Sequence, residues 1–351
     1  MKSFEDDFIT RQSITQGLIQ TIRVIGEYKG KQDLFKVQAP QVLESLRQAA
    51  IIQSTESSNR IEGITAPLER IKEIVADKTT PCNRPEQEIA GYRDVLNTVH
   101  ANHAHIPFTT GMVLQLHRDL YKFASGSSGR WKTVDNEIVE TRPDGTKILR
   151  FKPVPAFATP EAMERLHERF NILWESGEIE PLLLIPTYVL DFLCIHPFLD
   201  GNGRLSRLLT LLLLYKAGYE VGRFISLEKI IEQTKEGYYD TLNQCSQAWH
   251  DGQHKVLPWW EYFLGVTLLS AYREFERRVG LITTSKGAKT AMIFDAIRNI
   301  NGEFTISDIQ GQCPMVSIDL IRRVLGQERK TGRLECLGRG PEAHWRKTGI
   351  V

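Results

Sequence analysis

The sequence predicts a mainly α-helical protein that carries one β-hairpin insert and ends in a winged helix-turn-helix. Three observations lead there. Apolar residues recur at helical spacing along most of the chain, a single stretch reads as a hairpin, and from about residue 285 the texture changes to short helices followed by a glycine-containing turn between two strands.

The elements follow in chain order. Residues 1–84 form an N-terminal helical region, in which Thr65 and Pro67 mark a helix start feeding Leu68, Ile71, Ile74 and Val75. Residues 85–284 form the central unit. Its first stripe is Ile89, Tyr92, Val95, Leu96 and Val99, and a second runs Leu166, Phe170, Leu173 behind Thr159-Pro160-Glu161, a helix-start signal. Between 130 and 152, Ile138-Val139 and Ile148-Leu149-Arg150-Phe151 flank Pro143-Asp144-Gly145, a proline-initiated turn with a glycine available for positive φ, so a hairpin is expected. After Gly203, Leu205, Leu208, Leu209 and Leu211 to Leu214 cover nearly every face, as in a helix surrounded by other helices, and Gly218 is placed to end it. Residues 285–351 give a helix over 288–300, a short strand at Glu303-Phe304-Thr305, helices over 306–312 and 317–330, and a hairpin over 334–347, the order of a winged helix-turn-helix.

Composition narrows the function classes. Across 351 residues, 44 Lys and Arg stand against 43 Asp and Glu, a balance unlike that of a protein whose main task is to coat nucleic acid or an anionic membrane. The small asymmetry is local: residues 285–351 hold eleven basic and seven acidic side chains. The five cysteines are scattered with no Cys-x-x-Cys pair, the pattern of a reduced compartment without a zinc site. Glu5, Asp6 and Asp7 stand where a signal peptide would be basic, and the densest apolar run, Leu208 to Tyr215, is far short of the ~20 residues needed to span a bilayer. A cytoplasmic protein with no membrane partner is the expectation. His100, His103 and His105 precede Pro107 without a matching acidic ligand and are expected at a solvated helix end rather than around a metal.

The chemistry concentrates in His196-Pro197-Phe198-Leu199-Asp200-Gly201-Asn202-Gly203-Arg204-Leu205-Ser206-Arg207. Gly201 and Gly203 sit just before the apolar helix, where backbone N–H groups can converge on an anion. Arg204 and Arg207 are three apart, which predicts both guanidinium groups on one face of the first helical turn, suited to bidentate phosphate contacts. Asp200 supplies the hard oxygen that magnesium takes while it bridges phosphates, and His196 can accept a proton near neutral pH. Together they predict nucleotide binding through its phosphates and activation of a hydroxyl, that is, phosphoryl or nucleotidyl transfer.

This segment resembles the Fic family signature, His-x-Phe-x-[Asp/Glu]-Gly-Asn-Gly-Arg-x-x-Arg, at every specified position. The likeness continues through Leu116-His117-Arg118-Asp119-Leu120, Gly129-Arg130-Trp131, the hairpin, Tyr238-Tyr239-Asp240-Thr241-Leu242 and Pro258-Trp259-Trp260, over roughly residues 85 to 265. The resemblance implies a Fic-fold helical bundle that transfers AMP from ATP, with Mg2+, to a Tyr, Ser or Thr hydroxyl of a protein, itself included. It implies that His196 deprotonates the target, that Asp200 holds magnesium, and that Gly201, Asn202 and Gly203 cradle the α-phosphate while Arg204 and Arg207 hold the outer phosphates. The hairpin flap around Glu137, Ile138 and Val139 would align a target segment by strand addition, and Tyr238 and Tyr239 would lie near the base and ribose.

A second resemblance concerns control. Ser58-Asn59-Arg60-Ile61-Glu62-Gly63 is similar to the inhibitory motif [Ser/Thr]-x-x-x-Glu-[Gly/Asn], carried in Fic proteins on an N-terminal helix, here about residues 54–63. A carboxylate at Glu62 paired with Arg207 would occupy the cation meant for the γ-phosphate, and Ser58, one turn earlier, is expected to help fix that helix. Similar proteins commonly form homodimers. Two alternatives stay open: the same fold performing another transfer or the reverse removal of AMP, and a DNA-binding regulator using a nucleotide-sensing Fic part with Arg322, Arg323, Arg329 and Lys330 presented to DNA or to a protein.

Overall fold

The computed structural model describes residues 2–5, 7–38, 40–124, 128–141, 145–283, 288–300, 302–313, 316–338, 340 and 343–348. Helices dominate. In order they are α1 (Gln16–Gln38), α2 (Pro40–Ile61), α3 (Leu68–Val75), α4 (Arg84–Asn102) and α5 (Thr110–Leu120), followed by strands β1 (Ile138–Thr141) and β2 (Lys147–Phe151). Then come α6 (Thr159–Ser176), α7 (Pro181–Ile195), α8 (Asn202–Lys216), α9 (Leu227–Gln233) and α10 (Lys235–Ser246). The segment α11 (Leu257–Glu261) runs through a π-helical stretch, Tyr262–Leu268, into α12 (Leu269–Thr283). The chain closes with α13 (Ala288–Asn299), α14 (Ile306–Gln312), α15 (Ile318–Lys330), β3 (Leu334–Cys336) and β4 (Trp345–Lys347).

The centre of the bundle is the antiparallel pair α7 and α8. Both read apolar on every face, and both are buried on every face, from Leu182 through Ile195 and from Leu205 through Tyr215, apart from Leu193. A fully buried leucine contributes about 2 kcal/mol relative to an exposed one, so α8 is held by its surroundings more than by its own propensity. Helix α7 carries an internal proline, Pro186, and two tryptophans bond beside it: the Trp259 indole donates to the Pro186 carbonyl at 2.7 Å and that of Trp260 to Thr187 Oγ1 at 2.9 Å. Lower on α7, the buried Asp191 accepts from the Ser3 amide at 3.1 Å, from the Ser3 hydroxyl and from the Trp249 indole at 2.6 Å.

The two strands of the expected hairpin pair antiparallel. Val139 pairs with Leu149 and Thr141 with Lys147, and a bulge lies between Ile138 and Val139. Pro143 and Asp144 fall outside the described residues, while Gly145 has φ +83°. The hairpin leans on the body through Phe151, which stacks on His250 at 5.3 Å between ring centroids.

At the C-terminal end, α13, α14, α15 and the β3–β4 hairpin enclose a core of their own that includes Ile293, Ile297, Phe304, Ile321, Leu325 and Trp345. Thr305 and Asp308 cap α14 reciprocally. The expected strand at 303–305 reduces to one bridge, Phe304 to Trp345, because α14 begins at Ile306.

Three other expectations are corrected. Thr65 makes no cap: α3 starts after Pro67 with no side-chain hydrogen bond. The helix expected over 54–63 is longer at its start and ends at Ile61, so Glu62 and Gly63 lie in the turn beyond it. His100 is not solvated; it is buried with its ring 3.3 Å from the Tyr215 hydroxyl, and burial lowers its pKa to about 3. No helix among the described residues is long and apolar enough to cross a membrane.

Where α4 meets the end of α5, only a glycine fits: a Cβ on Gly91 would be driven into the Leu120 carbonyl oxygen. Gly91→Ala is expected to destabilise the fold by about 2–3 kcal/mol through overpacking against backbone, measured as the shift in urea-unfolding free energy.

Candidate active site

The corner between α7 and α8 is built by residues that few other types could replace. Helix α7 ends on His196, a non-glycine residue with φ 50° and ψ 62°, a left-handed conformation roughly 1–2 kcal/mol uphill for an L-residue. Helix α8 begins after Gly201, whose φ is +82° and whose Cα packs so closely that a Cβ would stand 2.9 Å from the Tyr121 hydroxyl. Between them the Asn202 side chain closes the loop on itself: its Oδ1 accepts from the Phe198 amide at 3.0 Å and its Nδ2 donates to the Phe198 carbonyl at 2.7 Å. No side chain caps α8, so the N–H groups of its first turn are left for an anion.

The half-buried His196 ring has its Nδ1 3.3 Å from the Leu193 carbonyl. A carbonyl can only accept, so Nδ1 carries the proton and Nε2 is the open acceptor. Burial, with Lys132 nearby, lowers the His196 pKa to about 4. The imidazole is therefore neutral at pH 7, the form a general base requires. Asp200 is exposed; its Oδ1 accepts from the Gly201 amide at 2.7 Å, and Oδ2 lies 3.8 Å from Arg204.

Arg207 is buried and faces α2. Its Nε donates to Ser58 Oγ at 2.9 Å, and its Nη2 donates to the Ser58 carbonyl and to Glu62 Oε1, both at 2.8 Å. Ser58 therefore holds the arginine itself, beyond the helix-fixing task expected of it. The Glu62 carboxylate also lies directly on Gly203, where any Cβ would collide with it and stand 3.3 Å from Arg207 Nη1. A carboxylate of the chain thus sits at the N-terminus of α8, between the backbone and the guanidinium.

Arg204 does not share this face. It is fully buried, ion-paired to Glu88 Oε2 at 2.7 Å, donating to the Tyr121 hydroxyl at 2.7 Å and to Asn59 Oδ1 at 3.4 Å. Helical spacing put the two arginines side by side, but a carboxylate on α4 draws the first one inward.

A profile of the Fic/DOC family matches residues 107–214, which span this corner. The chain contains a Fic/DOC family domain. It is 27% identical over 210 residues to the protein adenylyltransferase Fic of Nematostella vectensis, covering 57% of this chain and 44% of that protein. It is 34% identical over 67 residues to a Fido domain-containing protein of Dictyostelium discoideum, covering 18% of this chain and 47% of the other. The chain thus spans just under half the length of these curated relatives. Among solved structures, a Fic family protein from Desulfovibrio desulfuricans superposes with TM-score 0.62 at 23% identity, covering 96% of this chain and 97% of the other, so the shared fold takes in the C-terminal unit. Fic-1 from C. elegans superposes with TM-score 0.59 at 18% identity over 77% of this chain and 74% of that one. At such identities these likenesses speak for the fold.

Around the Fic domain's corner, the other expected residues divide. Ile138 is half-buried and Val139 exposed on β1, at the edge of the hairpin. Tyr238 is buried, edge-on to Trp259 at 5.6 Å, and burial pushes its hydroxyl up to about 12. Successive helical residues point about 100° apart, so Tyr239 alone turns outward, 41% exposed. Several residues that hold the loop had no assigned role in the sequence. His117 stacks on Phe198 at 3.7 Å, accepts from the Gly129 amide at 2.9 Å, and so carries its proton on Nε2, 3.1 Å from the Asp200 carbonyl. Lys132 and Asn136 donate to the loop from the other side. Their partners are mostly backbone atoms, which leave no trace in a sequence pattern.

The two ion pairs predict different stabilities. Glu88→Ala strips a fully buried guanidinium of its carboxylate and is expected to cost about 3–5 kcal/mol in urea unfolding. Glu62→Ala, whose side chain is 31% exposed, leaves Arg207 its two bonds to Ser58 and is expected to cost less than Glu88→Ala, about 1–3 kcal/mol, leaving the fold intact for functional measurement.

Proposed function

We propose that the protein is an adenylyltransferase that moves AMP from ATP to a Tyr, Ser or Thr hydroxyl of a protein, itself included, and that its own Glu62 restrains it. The observation that carries this is the Glu62 carboxylate against Gly203 and Arg207, a built-in anion at the place where the fold offers a helix N-terminus and a guanidinium.

In this reading Arg207 takes the outer phosphates once Glu62 withdraws, and the first-turn amides of α8 at Asn202, Gly203 and Arg204 receive the α-phosphate. The Asn202 side chain serves the loop, and Arg204 supports from below. A magnesium ion fits Asp200: it is an exposed carboxylate beside the phosphate site, and magnesium takes one or two carboxylates together with substrate phosphates. Among the described residues no group of three His, Cys, Asp or Glu stands ready to cage a metal alone. When bound, the ion neutralises phosphate charge. The target hydroxyl attacks the α-phosphorus, its proton passes to His196 Nε2, and the bond from the α-phosphorus to the bridging oxygen breaks with pyrophosphate leaving. The exposed edge of β1 offers a target segment strand pairing.

We read the C-terminal unit as a winged helix. Arg322, Arg323, Arg329 and Lys330 are exposed on α15, which favours a localising contact with DNA or protein, and salt-sensitive binding of a DNA duplex by the full chain is the measurement that separates the two.

Mass spectrometry of the protein incubated with ATP and magnesium tests the main reading. Glu62→Gly is expected to raise self-modification by about 5–150-fold, the range of ordinary coupling energies, and His196→Ala in that background to lower it by about 10²–10⁴-fold with ATP still bound. No AMP adduct on Glu62→Gly, or removal of a preformed one, would favour the other Fic-fold reactions. The rate of the Glu62→Gly protein is expected to stay level from pH 8 down to about 5 and to fall as pH drops through about 4, where the lowered His196 pKa makes the imidazole gain its proton.

A further inference from the structure

The left-handed conformation of His196 needs support from outside its own residue, since such backbone persists only where neighbours over-determine it. One five-residue segment supplies that support. Lys132 Nζ donates to the Ile195 carbonyl at 3.0 Å, Asn136 Nδ2 to the His196 carbonyl at 3.3 Å, the Lys132 amide to the Pro197 carbonyl at 2.8 Å, and Asn136 Nδ2 also to the Phe198 carbonyl at 3.0 Å. Four consecutive carbonyls on either side of the base thus answer to two side chains and one amide. The two side chains form one unit, because Lys132 Nζ also donates to Asn136 Oδ1 at 2.7 Å.

Packing alone does not explain a lysine here. Lys132 is 3% exposed, and what its ammonium meets within hydrogen-bond reach is a carbonyl and an amide oxygen. Burying that charge is unfavourable, and burial lowers its pKa to about 8. The segment is fixed at its far side as well: the Ala156 amide donates to Asp135 Oδ1 at 2.7 Å. It then runs into β1, which starts at Ile138.

We propose that Lys132 and Asn136 are positioning residues for the reaction: by gripping the carbonyls of residues 195 to 198 they hold His196 in its left-handed conformation with Nε2 directed at the incoming hydroxyl. They act through His196 and need touch neither nucleotide nor target. The proposal rests on the reading of His196 as base.

The test uses full-length Glu62→Gly protein as parent and adds Lys132→Met, Lys132→Arg or Asn136→Ala. Transfer kcat and KM, affinity for a non-hydrolysable ATP analogue, the melting temperature, and the NMR signal of the His196 ring are measured for each. Lys132→Met and Asn136→Ala are expected to lower kcat by about 10–100-fold, as for a misplacement of about 1 Å, with analogue affinity within about two-fold of the parent. Their His196 ring signal moves, and Lys132→Arg, which keeps a donor, restores both rate and signal. An unchanged kcat, an affinity loss as large as the rate loss, or an Arg variant no better than Met overturns the proposal. Should Lys132→Met not fold, the half-exposed Asn136→Ala decides by the same criteria. If the parent itself transfers nothing from any nucleotide, the proposed reaction is wrong and the ring signal alone judges the positioning: an unmoved signal in both variants overturns it.

Discussion

Two guanidinium groups are buried at the start of α8, and the rest of the site is arranged around that fact. The helix N-terminus already carries about half a positive charge, and arginine does not escape burial by losing its proton. Each arginine must therefore find oxygen, and the chain brings it from far away in sequence. Glu88, Tyr121 and Asn59 converge on Arg204, while Ser58 and Glu62 converge on Arg207. Helices α2 and α4 are thus electrostatic parts of this corner. An N-terminal region that looks like an appendage to the Fic domain completes it.

Much of this was legible in the sequence where residue type dictates structure directly. An apolar stretch bounded by glycines reads as a central helix, apolar pairs around a turn signal read as hairpin strands, and a loop with every signature position filled points to its family. What escaped did so for physical reasons. Arg204 and Arg207 are the same residue in the same helical turn, and only tertiary neighbours turn one to Glu88 and Tyr121 and the other to Ser58 and Glu62. Helix α2 was read short because its inner face is built from small polar residues, Ser54, Thr55, Ser57, Ser58 and Asn59, all buried; a hydrophobic stripe is the wrong signal for such a helix. Tyr238 and Tyr239 differ only in which way one helical step points them.

The corner also combines rigidity with an open edge. The carbonyls of Ile195, His196, Pro197, Phe198 and Asp200 each accept a hydrogen bond from outside the loop or across it. Asp200 and Leu199 meanwhile remain exposed. The loop is fixed by a scaffold that spends its polar atoms on backbone, which under the proposed function leaves the side chains His196 and Asp200 to face a substrate.

The proposed restraint by Glu62, seated on Arg207 and Gly203, has a thermodynamic meaning beyond a closed gate. Under the proposed restraint, a carboxylate fastened to the helix beside its own binding partner acts as an internal competitive ligand, and its strength is an effective concentration set by tethering. Those tethers are Ser54 to Ser226 and Glu228, Arg60 to Glu232, and Lys235 to the Ile61 carbonyl. Any anion bound by Arg207 does so with an affinity scaled by the fraction of molecules in which the carboxylate has moved away. The threshold concentration of ligand is therefore written into contacts remote from the ligand, and it can be tuned in small increments, one α2 hydrogen bond at a time.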